Sequence, residues 1–321
     1  MKSVHHFLKR FKFYRYFILW TKYIVLPGFA PLPLYTVIVF FVKEIQKESL
    51  VNKASSLSYN FMMAIFPSII FLFTLIPYIP IKNFQNQLMT FIALLLPKNA
   101  YLAFETTFID IVKNQNGQLL SVGFILALFF STNGTHTLMQ AFNKSSVISE
   151  TRTWFKQRLV ALNLTLLTAF ALILGVGVMV IGEFIINAIK LTLRFNDSNF
   201  WIYLIALCRW MIIIIVYFTT ISLLYRYGPA NPKKWKMFSA GAWLATILAI
   251  VTSIGFSYYI NNFGNYNKLY GSIGTLLVLM IWLYLNSIII LVGFELNASV
   301  DLSKRSIVIE KPIKVNAFKE V

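Results

Sequence analysis

The chain has 321 residues, a formal net charge of +18, 58% hydrophobic residues and only 12% charged residues. Soluble domains carry about 25% charged residues, so this composition excludes a soluble globular protein, and the apolar content excludes a disordered chain. The single cysteine, Cys208, excludes a disulfide-stapled scaffold. The class that remains is an integral membrane protein, which we predict to be all-α.

Residues 1–53 form a basic segment that we predict to lie at the membrane surface. The segment contains two apolar runs, residues 17–26 and 32–42, whereas a helix needs about 20 apolar residues to cross the hydrocarbon core. The first run contains Lys22, and the second is broken by Pro33 and leads directly into charged residues. We therefore predict N-terminal interfacial helices, whose lysine stems snorkel and whose aromatic rings lie at headgroup depth.

Residues 54–300 contain six apolar stretches that are long enough to cross a bilayer. The predicted membrane spans are residues 57–76, 119–139, 159–186, 200–225, 237–260 and 273–296. Between the first two spans, in residues 77–118, apolar side chains recur at helical spacing in two separate runs. We predict that these runs form two amphipathic helices on the outer membrane surface. Residues 301–321 are predicted to form a second basic tail.

The distribution of lysine and arginine predicts the orientation of the chain in the membrane. With six spans, 22 of these residues lie on the side of both termini and 6 lie on the opposite side, while Arg209 is inside a span. Basic residues accumulate in cytoplasmic loops, so both termini are predicted to be cytoplasmic. The same asymmetry predicts that the basic face contacts anionic lipid headgroups, and it argues against nucleic acid as a partner.

Several polar side chains fall at membrane depth, where they are costly and usually have a partner or a function. Ser58 and Tyr59 belong to the polar opening turn of the first span. Pro67 lies near the middle of that span, where it removes a backbone hydrogen bond and is expected to kink the helix. The second span ends in a polar stretch that contains Asn133 and His136. For His136, an interhelical hydrogen bond and a titrating role both remain open.

Arg209 lies near the middle of the fourth predicted span. An arginine does not lose its proton in a protein, so it needs a carboxylate, carbonyl groups, water or an anionic ligand at that depth. We predict that Arg209 faces a polar internal cavity, with His136 and Asn133 nearby. Glu183 and Glu295 lie near opposite membrane faces, and interfacial placement and a functional role are both open for them.

The most specific pattern precedes and enters the sixth span. Small residues there allow two backbones to approach closely, and tyrosine rings suit the membrane interface. The residues of the pattern are Tyr266, Lys268, Tyr270, Gly271, Ser272 and Gly274, followed near the other end of the span by Glu295 and Asn297. We predict that they form a structural motif together with Pro67.

With this pattern the chain resembles the YihY/virulence factor BrkB family of bacterial inner-membrane proteins, which formerly carried the label ribonuclease BN. Further matching strings follow in order along residues 35–300. They are Ala54 to Tyr59 with Phe66-Pro67, Ala141-Phe142-Asn143, Tyr227-Gly228-Pro229, Gly241-Ala242, and Gly293 to Ala298. The resemblance implies six spans in the bacterial inner membrane. It does not imply a defined mechanism, and Phe294 stands where the family commonly has a small alanine.

The residues give little support to catalysis. The chain has three histidines, one cysteine and 11 acidic residues, and it lacks the spacing of a zinc site, a phosphate-binding loop and a nucleophile elbow. We therefore expect no cofactor and no metal. The resulting prediction is a protein that is not an enzyme and, in particular, not a ribonuclease.

Three functions remain open for the chain. The first is a transporter or flippase of a lipid or other amphiphilic anion, without ATP-binding motifs. Its candidate binding residues are Arg209, His136, Asn133, Ser58 and Tyr59. The second is a structural or scaffolding protein of the envelope, and the third is a membrane-embedded enzyme. Predicted partners are membrane lipids and anionic headgroups at the cytoplasmic face, while homo-oligomerisation is left open.

The predicted orientation is testable by cysteine accessibility labelling. In the variants Arg152→Cys and Lys233→Cys, the new cysteine lies in one of the basic connections and is expected to react from the cytoplasmic side. Labelling of either position from the outside alone would contradict the charge argument.

Overall fold

The structure of the chain is a computed structural model that describes residues 12–25, 32–47, 50–78, 114–143, 150–192, 200–230, 237–263 and 272–309. Within these ranges the secondary structure is helical and no β-strand occurs, which confirms the predicted all-α class. The helices are α1 (Lys12–Tyr23), α2 (Leu34–Lys47), α3 (Leu50–Leu75), a short 3-10 turn (Ile76–Tyr78), α4 (Gly117–Asn143), α5 (Trp154–Thr192), α6 (Phe200–Tyr227), α7 (Ala240–Phe263) and α8 (Ser272–Ile309).

Helices α3 to α8 each contain a segment long enough and apolar enough to cross a membrane, which confirms the predicted six spans. All six helices extend beyond the predicted spans at one end or both. The longest extensions are at the start of α3, which begins at Leu50, and at the end of α8, which continues to Ile309. The predicted domain boundaries after residues 53 and 300 therefore fall inside continuous helices. The helices continue because neither Gly nor Pro interrupts residues 50–57 or 296–309.

Capping side chains set the starts of two helices. Asn116, directly before α4, accepts a hydrogen bond from the Leu119 backbone N–H at 2.9 Å. Ser239, directly before α7, accepts one from the Ala242 N–H at 3.3 Å. Asn and Ser are favoured here because they satisfy backbone donors that have no partner within the helix. The fifth span therefore begins at Ala240 and not at residue 237.

The six spanning helices form a closed ring of neighbours. Each packs against the next in chain order from α3 to α8, and α8 returns to pack against α3. Because successive spans alternate in direction, the starts of α3, α5 and α7 share one end of the ring with the ends of α4, α6 and α8. We call it the basic end, since Arg152, Arg158 and Arg226 lie there. It is the end that the charge distribution predicts to be cytoplasmic.

An aromatic cluster forms the best-packed part of the ring, close to the basic end. Phe142 of α4 stacks on Phe294 of α8 with ring centroids 4.0 Å apart, and Tyr225 of α6 contacts both rings edge-on. The three side chains are almost completely buried. A well-oriented aromatic pair contributes about 0.5–1.5 kcal/mol beyond the burial of its area. This stacking is the packing reason for a phenylalanine at position 294.

At the basic end, α7 and α8 approach more closely than side chains would allow. A Cβ atom added to Gly241 would overlap the Gly293 carbonyl oxygen, and one added to Gly293 would overlap the Tyr225 hydroxyl. Asn297 of α8 accepts a hydrogen bond from the Gly241 N–H at 2.8 Å and donates one to the Ser239 hydroxyl at 2.9 Å. Helix α8 thus caps the start of α7, and the two glycines make this contact possible.

Helix α2 docks against the last turns of α8 through a small buried cluster consisting of Leu32, Val37, Leu296 and Val300. Helix α1 packs on α2, where the Lys22 ammonium lies 5.3 Å from the centroid of the Tyr35 ring. Trp20 and Tyr23 of α1 are exposed. Exposed aromatic rings beside lysines suit a membrane interface. The interfacial position of α1 and α2 stays a prediction.

The two amphipathic helices predicted within residues 77–118 lie mostly outside the described residues. The described flanks of this segment do meet, because the Gln115 side-chain amide donates to the Pro77 carbonyl at 3.3 Å. The end of α3 and the start of α4 are thereby held together at the end of the ring opposite the basic end.

Replacing Gly241 or Gly293 by alanine is expected to destabilise the protein by about 1–3 kcal/mol, the usual cost of overpacking a core. The added methyl group meets a backbone carbonyl or a buried tyrosine, so α7 and α8 must move apart. The matched control is Gly255→Ala in α7, the helix that also contains Gly241. A Cβ atom at Gly255 meets nothing within 4 Å, and alanine is a better helix former than glycine.

Thermal denaturation of the purified variants measures this difference. The Tm should fall for Gly241→Ala and Gly293→Ala, whereas it should hold or rise for Gly255→Ala. Equal Tm values for the three variants would contradict the close approach of α7 and α8.

Candidate functional site

A cavity of about 610 Å³ opens between α3, α4 and α5, and Leu283 of α8 also contributes to its lining. This volume lies within the range of ligand sites, about 300–1,000 Å³. The wall is mainly apolar. Its larger side chains are Phe61, Ile65, Ile69, Phe71, Leu72, Phe124, Leu128, Leu166, Leu172, Ile173 and Leu283. The cavity is open at its surface, because the lining residues Leu172 and Ile173 are 71% and 69% exposed. It therefore offers an open apolar space along the membrane-spanning helices.

Five hydroxyl side chains interrupt the apolar wall of the cavity: Ser68, Ser131, Thr135, Thr165 and Thr168. Thr165 of α5 and Thr135 of α4 are hydrogen-bonded to each other at 2.8 Å, which joins these two helices across the cavity wall. Ser68, Thr135 and Thr168 donate to carbonyl groups of their own helices. The Thr165 oxygen lies 2.8 Å from both the Thr135 hydroxyl and the Ala161 carbonyl, and its single proton is donated to one of them. These hydroxyls are satisfied as donors and keep an oxygen that can accept a hydrogen bond.

A group that we call the polar cluster lies closer to the basic end, on the same two helices: Asn133, His136, Gln157 and Arg158. Arg158 donates from Nη1 to the Asn133 side-chain oxygen. The His136 Nε2 and the Gln157 Oε1 lie 3.3 Å apart, and the Gln157 amide donates to the Arg152 carbonyl at 2.9 Å. These contacts connect the last turns of α4 with the first turns of α5.

Arg158 is the cation of the polar cluster, and no carboxylate in the described part of the chain forms an ion pair with it. Its guanidinium carbon lies 5.7 Å from the centroid of the Trp154 ring, and its Nε is buried without a hydrogen-bond partner. The Thr132 hydroxyl, next to Asn133 in the chain, is also buried without one. An unsatisfied buried donor costs about 1–3 kcal/mol of stability. These two donors are therefore expected to gain from an acceptor that a ligand supplies.

A second group of contacts, which we call the clasp, joins the α4–α5 connection to the α6–α7 connection. It consists of Asn143, Glu150, Arg152, Gly228 and Ala230. Glu150 accepts hydrogen bonds from Arg152 Nε and Nη2, each at 2.9 Å, and from the Asn143 amide. Arg152 also donates to the Gly228 carbonyl at 2.9 Å, and Asn143 accepts from the Ala230 N–H at 2.9 Å. Two of the strings that carried the resemblance, residues 141–143 and 227–229, thereby meet in space.

The clasp changes the acidity of its carboxyl group. Partial burial pushes the pKa of Glu150 upward, but hydrogen bonds from the Arg152 side chain and backbone, together with the charge of its guanidinium, outweigh that effect. The net pKa of Glu150 lies below the ordinary value of a glutamate. The clasp therefore holds an ionised carboxylate at neutral pH.

The structure separates the predicted binding residues. Asn133 and His136 lie together in the polar cluster. Ser58 is buried and its hydroxyl donates to a carbonyl of its own helix, whereas Tyr59 is 57% exposed. Neither of these two residues lines the cavity.

Arg209 belongs to α6, but its side chain lies outside what the structure describes. Its predicted contact with Asn133 and His136 therefore stays a prediction. The arginine that contacts Asn133 is Arg158 of α5. Arg158 lies at the start of its span rather than at membrane depth, so its charge stays close to the interface.

The residues of the predicted structural motif are described only in part. Pro67 is buried inside α3, which continues through it as one helix, and Gly274 is buried in α8. Glu295 is buried, and Asn297 caps α7. Outside the described residues lie Tyr266, Lys268, Tyr270 and Gly271, as do the side chains of Ser272 and Glu183.

Sequence reasoning missed four residues that the structure places in the two polar groups: Glu150, Arg152, Gln157 and Arg158. It used the two arginines only as charges that set the orientation. A usable signal was present, since Arg158 precedes Thr165 by seven residues and Thr168 by ten, which places all three on one face of a helix. Within the described ranges, no group of three or more His, Cys, Asp or Glu side chains could hold a metal ion.

The clasp makes the stability of the protein depend on pH. Because the pKa of Glu150 is lower in the folded than in the unfolded chain, its stabilising contribution is complete above the ordinary carboxyl range. The contribution is lost as the pH falls through the lowered folded value. The Tm difference between the wild type and Glu150→Gln should therefore be large near about pH 7 and vanish near about pH 3.

Lys156→Gln serves as the control for this prediction, because Lys156 is an exposed neighbouring charge on α5. Its Tm should follow that of the wild type at both pH values. A Tm difference between wild type and Glu150→Gln that does not change with pH would contradict the role of the ionised carboxylate.

Comparison with known proteins identifies relatives over most of the chain. A ribonuclease-like protein of Bacillus subtilis, named YfkH, is 32% identical over 255 residues, which cover 79% of this chain and 91% of the relative. A UPF0761 membrane protein of Tolumonas auensis is 25% identical over 266 residues, covering 81% and 83%. One of Haemophilus influenzae is 23% identical over 272 residues, covering 82% and 94%. No solved structure matches the chain.

A family model described as virulence factor BrkB matches residues 41–312, which include all six spanning helices. The matched region contains the clasp, the polar cluster and the cavity. The family match, and the share of the chain that the relatives cover, agree with the resemblance that the sequence strings indicate. The chain therefore belongs to the virulence factor BrkB family of membrane proteins.

Proposed function

We propose that the protein is a transporter or flippase of the bacterial inner membrane that moves a lipid or another amphiphilic anion. The observation that carries the proposal is the cavity of about 610 Å³ between four of the six spanning helices. Its lining residue Thr165 lies eleven residues into the spanning segment Trp154–Gly175, which is the middle of that 22-residue segment. An apolar cavity at this depth suits the hydrocarbon chain of an amphiphile.

The polar groups of the cavity support the same proposal. The hydroxyls of Ser68, Ser131, Thr135, Thr165 and Thr168 give the apolar wall hydrogen-bonding positions along its length. Polar groups at membrane depth commonly mark a substrate path, because they are costly where lipid surrounds them. A headgroup that crosses the membrane needs such positions, whereas a purely structural apolar seam does not.

The distribution of charge supports an anionic substrate. The basic end carries Arg152, Arg158 and Arg226, and the whole chain has a formal net charge of +18. Cations at this surface raise the local concentration of anionic lipids. Since the sequence lacks a phosphate-binding loop, we propose that movement is passive or coupled to an ion gradient. The proposal makes no use of catalysis, and the ribonuclease-like name belongs to the Bacillus subtilis relative.

Filling the cavity tests the proposal. Ala169 lines the cavity on α5, so Ala169→Trp should occupy the space of the proposed substrate. Leu174→Trp is the matched control, because Leu174 lies on the same helix, is exposed and does not line the cavity. Both variants are reconstituted into proteoliposomes that contain a fluorescent phosphatidylglycerol, and loss of fluorescence after addition of a reductant to the outside reports movement of the lipid.

Wild type and Leu174→Trp should accelerate the loss of the inner-leaflet fluorescence over protein-free vesicles, and Ala169→Trp should not. The assay is repeated with proton and sodium gradients across the vesicle membrane. If folded wild-type protein moves no lipid under any of these conditions, the transport proposal fails. The scaffolding function then becomes the better account of the same helices.

A further inference from the structure

We infer that Arg158 is the headgroup-binding residue for an anionic, phosphate-bearing lipid whose hydrocarbon chain occupies the cavity. The assignment rests on the proposed function, because it takes the cavity as the place of the chain. It goes beyond that function in naming the residue that selects the substrate and the chemistry that it selects.

The guanidinium of Arg158 is held in place without being neutralised. Nη1 donates to Asn133, and the Trp154 ring lies 5.7 Å from the guanidinium carbon, so both contacts are made with uncharged groups. The nearest acidic candidate in the chain, Glu150, is occupied by the forked contact from Arg152. A positioned guanidinium with an unmatched charge is suited to bind a phosphate or carboxylate.

Two donors without a partner occur at Arg158 and at the residue next to Asn133 in the sequence. The Arg158 Nε is buried and has no hydrogen-bond partner, and the same holds for the hydroxyl of Thr132, the residue before Asn133. Gln157, another member of the polar cluster, is engaged through both ends of its amide, because its Oε1 lies 3.3 Å from His136 Nε2 and its Nε2 donates to the Arg152 carbonyl. A phosphate group has several acceptor oxygens and no donor of its own that needs a partner. It therefore fits a site whose unpartnered groups are hydrogen-bond donors.

Arg158 and the cavity lie along one face of α5. Thr165 and Thr168, which line the cavity, follow Arg158 by seven and ten residues, or about 10 and 15 Å along the helix. An amphiphile with its charge at Arg158 would therefore extend its chain along α5 past the Thr135–Thr165 contact and into the apolar space. Trp154 is exposed at the start of the same helix, where a ring marks the membrane interface. The headgroup thus lies at interface depth while the chain lies at the depth of hydrocarbon.

The experiment measures which lipids the protein retains. Full-length protein is placed in nanodiscs of equal amounts of phosphatidylglycerol and phosphatidylcholine, and the lipids bound after release into mild detergent are counted by native mass spectrometry. The variants are Arg158→Gln, which removes the charge, and Arg158→Lys, which keeps it but loses the fork. Arg226→Gln is the matched control, because Arg226 is also at the basic end but contacts the Tyr227 ring, away from the cavity.

Wild type and Arg226→Gln should retain phosphatidylglycerol in preference to phosphatidylcholine. Arg158→Gln should lose about tenfold of that preference while it retains a similar total amount of lipid, and Arg158→Lys should lie between them. Ala169→Trp should instead retain less of both lipids, so failure of the headgroup site and failure of the cavity are distinguishable. A folded Arg158→Gln protein with unchanged preference overturns the assignment, as does a lower Tm without any change in preference.

Two further arms complete the test. If Arg158→Gln does not fold, Thr132→Val replaces it, because it removes one unused donor with little change of shape and should reduce the preference for phosphatidylglycerol. An unchanged preference in Thr132→Val and Arg158→Lys would then overturn the assignment. In the second arm, inorganic phosphate is added to the wild type. Displacement of the bound lipid supports the anion site but overturns the lipid as its source, whereas retention of the lipid supports both.

Discussion

The basic end of the molecule depends on the backbone contact between Gly241 and Gly293. Because neither residue has a side chain, α7 and α8 approach through their backbones, and Asn297 reaches across to cap α7. The same approach allows Tyr225 of α6 to donate to the Ile290 carbonyl of α8 at 2.7 Å. Apolar side chains gain little by leaving lipid, so close packing and interhelical hydrogen bonds of this kind hold spanning helices together.

This contact extends through the aromatic cluster to α4, since Phe142 stacks on Phe294 and Tyr225 contacts both rings. Away from this end the packing is looser, and only 11% of the most apolar window of α4 is buried. At the opposite end the Gln115 amide joins the start of α4 to the end of α3, and the space between the helices lies between these two ends. The cavity lies in that looser part, so the same packing that stabilises the basic end leaves room for the proposed substrate.

Arg152 and Arg158 at the basic end differ in whether a neighbouring carboxylate neutralises their charge. Arg152 precedes the first turn of α5 and is neutralised by Glu150 in the clasp, where it also joins two connections. Arg158 lies inside α5 and contacts an amide oxygen and an aromatic ring. Both count equally as basic residues in a prediction of membrane orientation. Their different roles follow from their partners, which are Glu150 for Arg152, and Asn133 of α4 with Trp154 for Arg158.

Composition and hydropathy by themselves determined the membrane class, the helical fold and the six spans. Each of these properties depends on about 20 neighbouring residues and on the cost of exposing an unsatisfied backbone to lipid. Local strings determined the family. The sequence placed a close approach of backbones at Gly271 and Gly274, whereas the approach at Gly241 and Gly293 emerged only from the structure. The sequence did not determine which polar residues share a site. The pair Asn133–Arg158 is separated by 25 residues, and the pair Asn143–Ala230 by 87. Only the order of the helices around the ring and their rotation about their axes bring such residues together, so the cavity, the polar cluster and the clasp were decided by the tertiary structure.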